Sequence, residues 1–543
     1  MKISIPSFNA LLALTALTGN VCDAAFLRPT ADENAEHSNF NRNLQTLPPS
    51  VAQQIGIIGA SIAALDPALA IYETPIQARF TNYYTSMWWN CIAIYSSDFK
   101  DSLTGARPAI VVQDENLYLT QNRALCATQA TATYTFLSVP GALEAYTNTM
   151  SAIGVPVVDG IDADLAACAA KDTACYQSVA AAKGFTTEIM GMVVAKQTYD
   201  YAINDGFNEL GTDDGCVVNC RPFRDSTGYT PKVSPYGKSP KGIKFAEAWK
   251  PLLEDNGSGF FYYQQHVTPH IGEKAKFATA MPEEDRTTRV ARAPTYSGSR
   301  QAEAIEVIAN MAELDDVKKI QVEVFDNKLL VAIAVLNSFV GKLLSNGYQD
   351  TELSQPGIVL SYERFIHFVN GFTATERDTV IIAWKEKVNY DLIRPTSVIK
   401  DLGDQLITTW APGGIQTFPA KDFEAYKRVM PHSEYVSGSA CIFEGIKDYV
   451  TGYMTMIGLD PTFPVAFDPI PAGSSNVEPG LVPASELTLV YPDIETMAEA
   501  GSQSRLDGGM HFGDSVPAAL ELCAGIGTFG VDHVANLLAE SAA

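Results

Sequence analysis

Lysine, arginine and histidine side chains stand in this 543-residue sequence at spacings that could build a pocket for an oxyanion. Lys387 and Arg394 are seven residues apart, and Pro395 follows at once. Apolar residues recur at helical spacing through residues 375–393, which predicts a helix that ends at the proline. Seven residues are about two helical turns, so both cations should face the same side. A guanidinium and an ammonium group on one face can together bind three oxygens of a tetrahedral anion.

Two later stretches carry further groups that such a pocket needs. They are Ser437-Gly438-Ser439 and Ser504-Arg505-x5-His511. A serine hydroxyl, a glycine amide that no side chain blocks and a second guanidinium can all donate hydrogen bonds to an anion. A helix that starts near Ser439 would add its free N–H groups to the same site.

In this order the three stretches resemble the oxyanion-site motifs of vanadium-dependent haloperoxidases and type 2 phosphatidic acid phosphatases. The family pattern is Lys-x6-Arg-Pro, then Pro-Ser-Gly-His, then Ser-Arg-x5-His. The first and third motifs match in full. In the second motif, Val436 replaces the proline and Ser439 replaces the histidine.

The resemblance implies a mainly α fold built on helical bundles, with vanadate as the implied cofactor. It assigns the oxyanion to Lys387, Arg394, Ser437, Gly438 and Arg505. His511 would either coordinate vanadium as its metal ligand or attack phosphorus, and both roles need a neutral imidazole whose other nitrogen is held by an acceptor. Asp514 is expected to orient His511, although the phosphatase pattern places its aspartate one residue later, where Ser515 stands.

Ser439 occupies the position of the family's acid–base histidine. A serine is a poor proton donor near neutral pH, and a group in that role contributes about 10²–10⁴-fold to the rate. Oxyanion binding should survive this change, whereas cleavage of a phosphoester should suffer. His432 is a second candidate for the proton donor, but a histidine beside Pro431 is more typical of a surface loop. Ser439→His should raise phosphatase turnover unless His432 already supplies the proton.

Three functions follow from this site. The first is a secreted haloperoxidase that oxidises a halide with hydrogen peroxide and acts on an organic acceptor. The second is a soluble acid phosphatase with a phospho-His511 intermediate. The third is a catalytically weak oxyanion-binding homologue. The net charge of −24 argues against nucleic acid or an anionic membrane surface as a partner. After the N-terminal region, no run of 18 uninterrupted apolar residues occurs in the sequence, so we expect no membrane span in the mature protein.

The N-terminal region is expected to direct export. Residues 1–25 have the lysine, short apolar run and small residues of a secretory signal, and residues 26–50 read as a disordered leader. Ala25-Phe26 also resembles the cleavage motif of plastid leaders in algae with secondary plastids, so a plastid is the alternative location. We predict an N-terminal helical region over 51–240 and a catalytic helical region over 241–543.

Eight cysteines remain after the predicted signal, and an even count in an exported protein predicts disulfides. Connectivity does not follow from sequence alone, but short loops favour two pairs and leave two more. The favoured pairs are Cys168–Cys175 and Cys216–Cys220, and the remaining ones are Cys91–Cys126 and Cys441–Cys523. His266 and His270 lie close together on a proline-containing loop, and we interpret them as hydrogen-bonding residues rather than metal ligands.

Overall fold

The computed structural model describes residues 61, 65, 73–94, 99–106, 120–139, 142, 164, 167–168, 173–183, 186–233, 247–255, 259–294, 300–346 and 359–538. The predicted signal and leader, residues 1–50, lie outside this part of the chain.

The described residues are mainly helical, as predicted. The helices are α1 Thr74–Ala93, α2 Thr120–Ser138, α3 Thr173–Lys183, α4 Thr187–Ala202, α5 Ile271–Lys274, α6 Asp285–Thr288, α7 Arg300–Ala312, α8 Asp316–Asp326, α9 Lys328–Ser345, α10 Val359–Tyr390, α11 Pro395–Lys400, α12 Gly438–Met456, α13 Ile494–Asp507, α14 Ser515–Cys523 and α15 Ile526–Leu538. The strands are β1 Leu253–Asp255, β2 Phe261–Tyr263, β3 Leu406–Ala411, β4 Gly414–Pro419, β5 Val465–Ala466 and β6 Val490–Tyr491. They form three separate antiparallel pairs, β1–β2, β3–β4 and β5–β6. In the longest pair, Leu406 lies opposite Pro419 and Ala411 opposite Gly414.

The chain divides into two compact units. The first contains the described residues within Met1–Asn204, Val335–Ala374 and Val531–Ala543, and the second contains those within Asp205–Ala334 and Thr375–Gly530. The predicted boundary between residues 240 and 241 stays a prediction.

The first unit is built on α1, α2 and α4, which pack on one another. Its core is aromatic: Tyr83 lies 6.1 Å from Tyr134 between ring centroids, and both side chains are fully buried. One described helix, α9, is long and apolar enough to cross a membrane by length and composition alone. Its mean hydropathy is 1.6, but 72% of it is buried, as in the core helix of a globular protein.

The second unit packs α12 against α10, α13 and α14. Gly445 permits the close approach of α12 to α10, because a Cβ atom there would lie 2.4 Å from Thr379 Cγ2. A buried apolar core, which includes Met311, Val322 and Trp410, lies beneath the segment that follows α13. These contacts hold the start of α12, the end of α10 and the end of α13 in one unit.

The region around Lys387 and Arg394 differs from the prediction of one continuous helix to residue 393. The helix α10 ends at Tyr390, because Asp391 has a φ of 51° and the chain leaves the helical path there. Arg394 is extended and precedes α11, and Pro395 begins that helix instead of ending α10. A proline at the first position of a helix loses no hydrogen bond, which explains its place.

All four predicted disulfides form among the described cysteines. The Cα–Cα distances are 5.7 Å for Cys91–Cys126, 5.7 Å for Cys168–Cys175, 5.8 Å for Cys216–Cys220 and 5.3 Å for Cys441–Cys523. The last of these joins α12 to α14, so it ties together the helices next to the second and third sequence motifs.

Candidate active site

Arg394 lies at the centre of the site and brings the first and third motifs together. Its Nη1 donates to the Met510 carbonyl at 2.9 Å and lies 3.3 Å from His511 Nε2. Its Nη2 lies 3.0 Å from His432 Nδ1, and its Nε donates to the His432 carbonyl at 3.1 Å. One buried guanidinium therefore contacts both histidines that the sequence marked as candidate catalytic groups, His432 and His511.

Lys387 holds the loop that leads to the second motif. Its fully buried ammonium donates to the carbonyls of Ser433, Glu434 and Val436 at 3.1, 2.9 and 2.6 Å. An ammonium has three N–H groups, and all of them are used here. Lys387 therefore adds positive charge to the site, and a direct bond to an anion would require one of these carbonyls to be released.

Arg505 offers the unused donors. In the last turn of α13, its Nη2 lies 2.8 Å from Asp326 Oδ1 and 2.8 Å from Met510 Sδ. Its Nε and Nη1 are buried and have no acceptor among the described residues. A buried donor without a partner is costly, and an anion oxygen would satisfy it. Arg394 binds the carbonyl of Met510, and Arg505 contacts the sulfur of the same residue, so both guanidinium groups contact Met510.

The second motif begins α12. Ser437 is the N-cap, and its hydroxyl accepts a long hydrogen bond of 3.4 Å from the Ala440 amide. A Cβ atom at Gly438 would lie 3.3 Å from Lys387 Cε and equally close to Trp384, so a side chain there would crowd the lysine. Ser439, the second residue of the helix, is half-buried, and its hydroxyl has no hydrogen-bond partner in the described part of the chain.

His511 is held by a carboxylate. Its Nδ1 lies 2.8 Å from Glu434 Oε1, which also accepts hydrogen bonds from the Phe512 amide at 3.1 Å and from the Ser515 hydroxyl. Burial, followed by the charges of Arg394 and Lys387, keeps the pKa of His511 well below its usual range. The imidazole is therefore neutral at neutral pH. Its Nδ1–H donates to Glu434, and its Nε2 keeps a lone pair on the side of Arg394.

The carboxylate that orients His511 is not the one expected. Asp514 accepts a hydrogen bond from Arg300 Nη1 at 3.2 Å, whereas Glu434 holds His511. Ser515, which stands where the phosphatase pattern has aspartate, donates to the same Glu434 oxygen. Glu434 lies 77 residues before His511, so no local spacing connects them. The sequence offered one signal for this role, because Glu434 is the only charged residue between positions 434 and 440.

His432 is buried, which contradicts the expectation of a surface histidine. Only 8% of the residue is exposed, and its ring lies 4.8 Å from Trp384 between centroids. The proline before it does not place it at the surface, because Arg394 binds both its carbonyl and its ring. The ring of His266 lies 6.2 Å from the ring of His432 between centroids. Its Nδ1 is near the Val267 carbonyl, and its Nε2 is near the Ser433 hydroxyl. His266 and His270 therefore serve as hydrogen-bonding residues, as interpreted.

No cluster of three or more His, Cys, Asp or Glu side chains that could hold a metal cation occurs among the described residues. The structure thus brings together Arg394, Arg505, His511 and His432, with Lys387 and Gly438 beside them.

The fold and these contacts define a helical-bundle protein with a cluster of buried cationic side chains, and comparison with known proteins shows what it is similar to. Residues 367–540 match the family model of the VCPO second helical-bundle domain. The chain is similar to the apo and holo crystal structures of a bacterial vanadium-dependent chloroperoxidase. Both have TM-scores of 0.68 and 20% identity, and the similarity covers 86% and 88% of this chain and 94% and 95% of the others.

A bacterial vanadium-dependent iodoperoxidase is also similar, with a TM-score of 0.53, 13% identity and coverage of 90% of this chain and 96% of that one. A comparison with curated proteins finds no match. The matched domain and the shared fold confirm the resemblance of this chain to the vanadium haloperoxidase superfamily.

Proposed function

We propose that this protein is a vanadate-dependent haloperoxidase, which uses hydrogen peroxide to oxidise a halide ion. The observation that carries the proposal is the state of His511. Its Nδ1–H is held by Glu434, and its Nε2 lone pair lies 3.3 Å from Arg394 Nη1. A neutral imidazole oriented by a carboxylate is the usual form of a histidine that binds a metal.

The residues present fit vanadate. The buried Nε and Nη1 of Arg505 have no acceptor among the described residues, and oxyanion oxygens would supply two. His511 Nε2 would hold the metal, while Arg394, Arg505 and the amides of Gly438 and Ser439 would hold the oxygens. When bound, vanadate supplies the centre at which hydrogen peroxide is activated for oxygen transfer to the halide.

Residues of the chain orient the groups that would bind the anion and add positive charge to the site. Glu434 keeps the proton of His511 on Nδ1, so Nε2 carries a lone pair, which accepts from Arg394 Nη1 in this structure. Lys387 fixes the carbonyls that precede Ser437 and adds its charge from a fully buried position. Among buried groups, fixed donors and charges act more strongly than they would in solution.

Phosphate has the same shape, so a phosphatase that uses His511 as its nucleophile is the second candidate. The Glu434–His511 pair favours it, because a carboxylate that holds Nδ1–H also prepares Nε2 for attack. The third candidate, an oxyanion-binding protein with weak catalysis, follows from Ser439.

One comparison of rates separates the three functions. Bromination of a phenol dye by hydrogen peroxide would be measured with and without added vanadate, beside hydrolysis of p-nitrophenyl phosphate. The proposal expects bromination that depends on vanadate and exceeds phosphatase turnover. Hydrolysis alone would favour the phosphatase, and neither reaction would favour the binding protein.

Export to an oxidising compartment completes the proposal. Four disulfides support it, because structural disulfides are rare in the reducing cytosol. Sequencing the N-terminus of the mature protein tests it, and we expect cleavage near residue 25. An intact N-terminus on the protein in its native host would contradict the proposal.

A further inference from the structure

The site lacks a proton donor where the second motif should supply one. Ser439 is half-buried, and its hydroxyl has no partner among the described residues. Oxidation of a halide by hydrogen peroxide consumes one proton: halide, peroxide and a proton yield hypohalous acid and water. Two electrons pass from the halide as the O–O bond breaks, and the oxygen that leaves as water must be protonated. A side chain of the site that donates this proton would therefore assist the reaction.

His432 has the geometry of that source. Arg394 Nη2 lies 3.0 Å from its Nδ1, and a guanidinium can only donate, so Nδ1 accepts and the ring proton is on Nε2. No described residue bonds to Nε2. The Ser433 carbonyl also lies 3.1 Å from Nδ1 and can accept a proton placed there. Both the neutral and the charged ring therefore have a hydrogen-bond partner.

We propose that His432 is the proton-transfer residue of this site and replaces the histidine that Ser439 displaces. This inference rests on the proposed function. In the charged form, Nδ1–H donates to the Ser433 carbonyl and Nε2–H is the acid. After transfer to the leaving oxygen, the neutral ring carries its proton on Nδ1. Uptake of a solvent proton on Nε2 restores the charged form, and loss of the Nδ1 proton returns the ring to its resting tautomer, in which Nδ1 accepts from Arg394.

The charges around His432 couple this proton to the anion. Burial, followed by Lys387, Arg394 and His266, keeps the pKa of His432 well below its usual range. His266 is itself neutral at neutral pH, because burial lowers its pKa to about 3. The charges that act on the His432 ring are therefore those of Lys387 and Arg394. A bound oxyanion offsets those cations and raises the pKa of His432. By linkage, anion binding should take up protons and strengthen as the pH falls.

The first test follows turnover in the full-length protein. His432→Gln should lower kcat for bromide oxidation by about 10²–10⁴-fold and change the peroxide KM little. Adding Ser439→His to this variant should restore much of the loss. His266→Gln is the matched control, since that buried imidazole has both nitrogens near protein groups, and it should cost less than tenfold. A His432→Gln enzyme within threefold of wild type, or no recovery in the double variant, would overturn the inference.

The second test does not need turnover. Molybdate, a tetrahedral oxyanion that stays a dianion near neutral pH, would be titrated calorimetrically into the wild type in buffers of different ionisation enthalpy. Proton uptake should be seen with the wild type and with His266→Gln but not with His432→Gln. Equal uptake in all three would contradict the inference.

Two outcomes separate this inference from the proposed function. If the wild type oxidises no bromide yet His432 still accounts for the proton uptake, only the haloperoxidase proposal fails. If the His432→Gln variant does not fold, the kcat of the Ser439→His single variant tests whether His432 is the proton donor. With His432 already active, the added histidine should raise kcat less than threefold, and a gain of tenfold or more would show that the proton donor had been missing.

Discussion

Glu434 should control the state of His511, and removing its charge should slow the proposed reaction without weakening anion binding. Glu434 Oε1 accepts hydrogen bonds from His511 Nδ1 at 2.8 Å, the Phe512 amide at 3.1 Å and the Ser515 hydroxyl. Glu434→Gln keeps the shape and removes the charge. A hydrogen bond to a charged group contributes about 1.5–3 kcal/mol, which corresponds to roughly 10–150-fold. A fall in kcat of that size is expected.

The same change should leave phosphate or molybdate affinity unaltered or slightly higher, because a negative charge leaves the neighbourhood of Lys387 and Arg394. A variant that merely disturbed the fold would lose both affinity and rate. Steady-state bromination kinetics and calorimetric titration of molybdate measure the two effects separately.

Ser515 offers a rescue. Its hydroxyl already contacts the Glu434 oxygen that holds His511, so Ser515→Asp places a carboxylate in the same contact network. Glu434→Gln/Ser515→Asp should regain at least tenfold in kcat, whereas Glu434→Gln/Ser515→Asn, which has the same shape without the charge, should not. Equal rescue by both, or full activity of Glu434→Gln alone, would refute the reasoning.

Three further predictions follow from the site and its supports. Arg505→Lys should weaken vanadate binding about tenfold or more in a calorimetric titration, because the buried Nε and Nη1 donors are lost; unchanged affinity would exclude Arg505 from the anion. Replacing Cys441 and Cys523 with serine opens a link across 82 residues and should lower the free energy of unfolding by about 4 kcal/mol in a denaturant titration. His266 has a pKa of about 3 when folded and about 6.5 when unfolded, so its neutral form stabilises the fold above pH 6.5 and this contribution is lost as the pH falls towards 3. The unfolding free energy of the wild type relative to His266→Gln should therefore fall by about 2 kcal/mol between pH 7 and pH 5.

The sequence predicted those parts of the molecule that local spacing determines. Helical periodicity gave a mainly helical fold, and short loops indicated two of the four disulfides directly. The end of α10 was placed three residues too late, because the left-handed backbone of Asp391 has no clear signature in a non-glycine residue.

Contacts between distant residues could not be predicted in the same way. Glu434 reaches His511 across 77 residues, and His432 is buried because Arg394, 38 residues earlier, binds its ring and its carbonyl. Both facts depend on how α10, α12 and α13 pack. The three hydrogen bonds from Lys387 to backbone carbonyls could not be predicted either, because they require the loop that precedes Ser437 to fold around the ammonium group.

The most direct test of the central claim is a vanadate titration of bromide oxidation by the purified, phosphate-free protein. Activity should rise with added vanadate and level off near one equivalent, and excess phosphate should suppress it by competing for the same cations. His511→Ala should abolish the activity while molybdate still binds at Arg394 and Arg505. Bromide oxidation that needs no vanadate, or that survives in His511→Ala, would contradict the account.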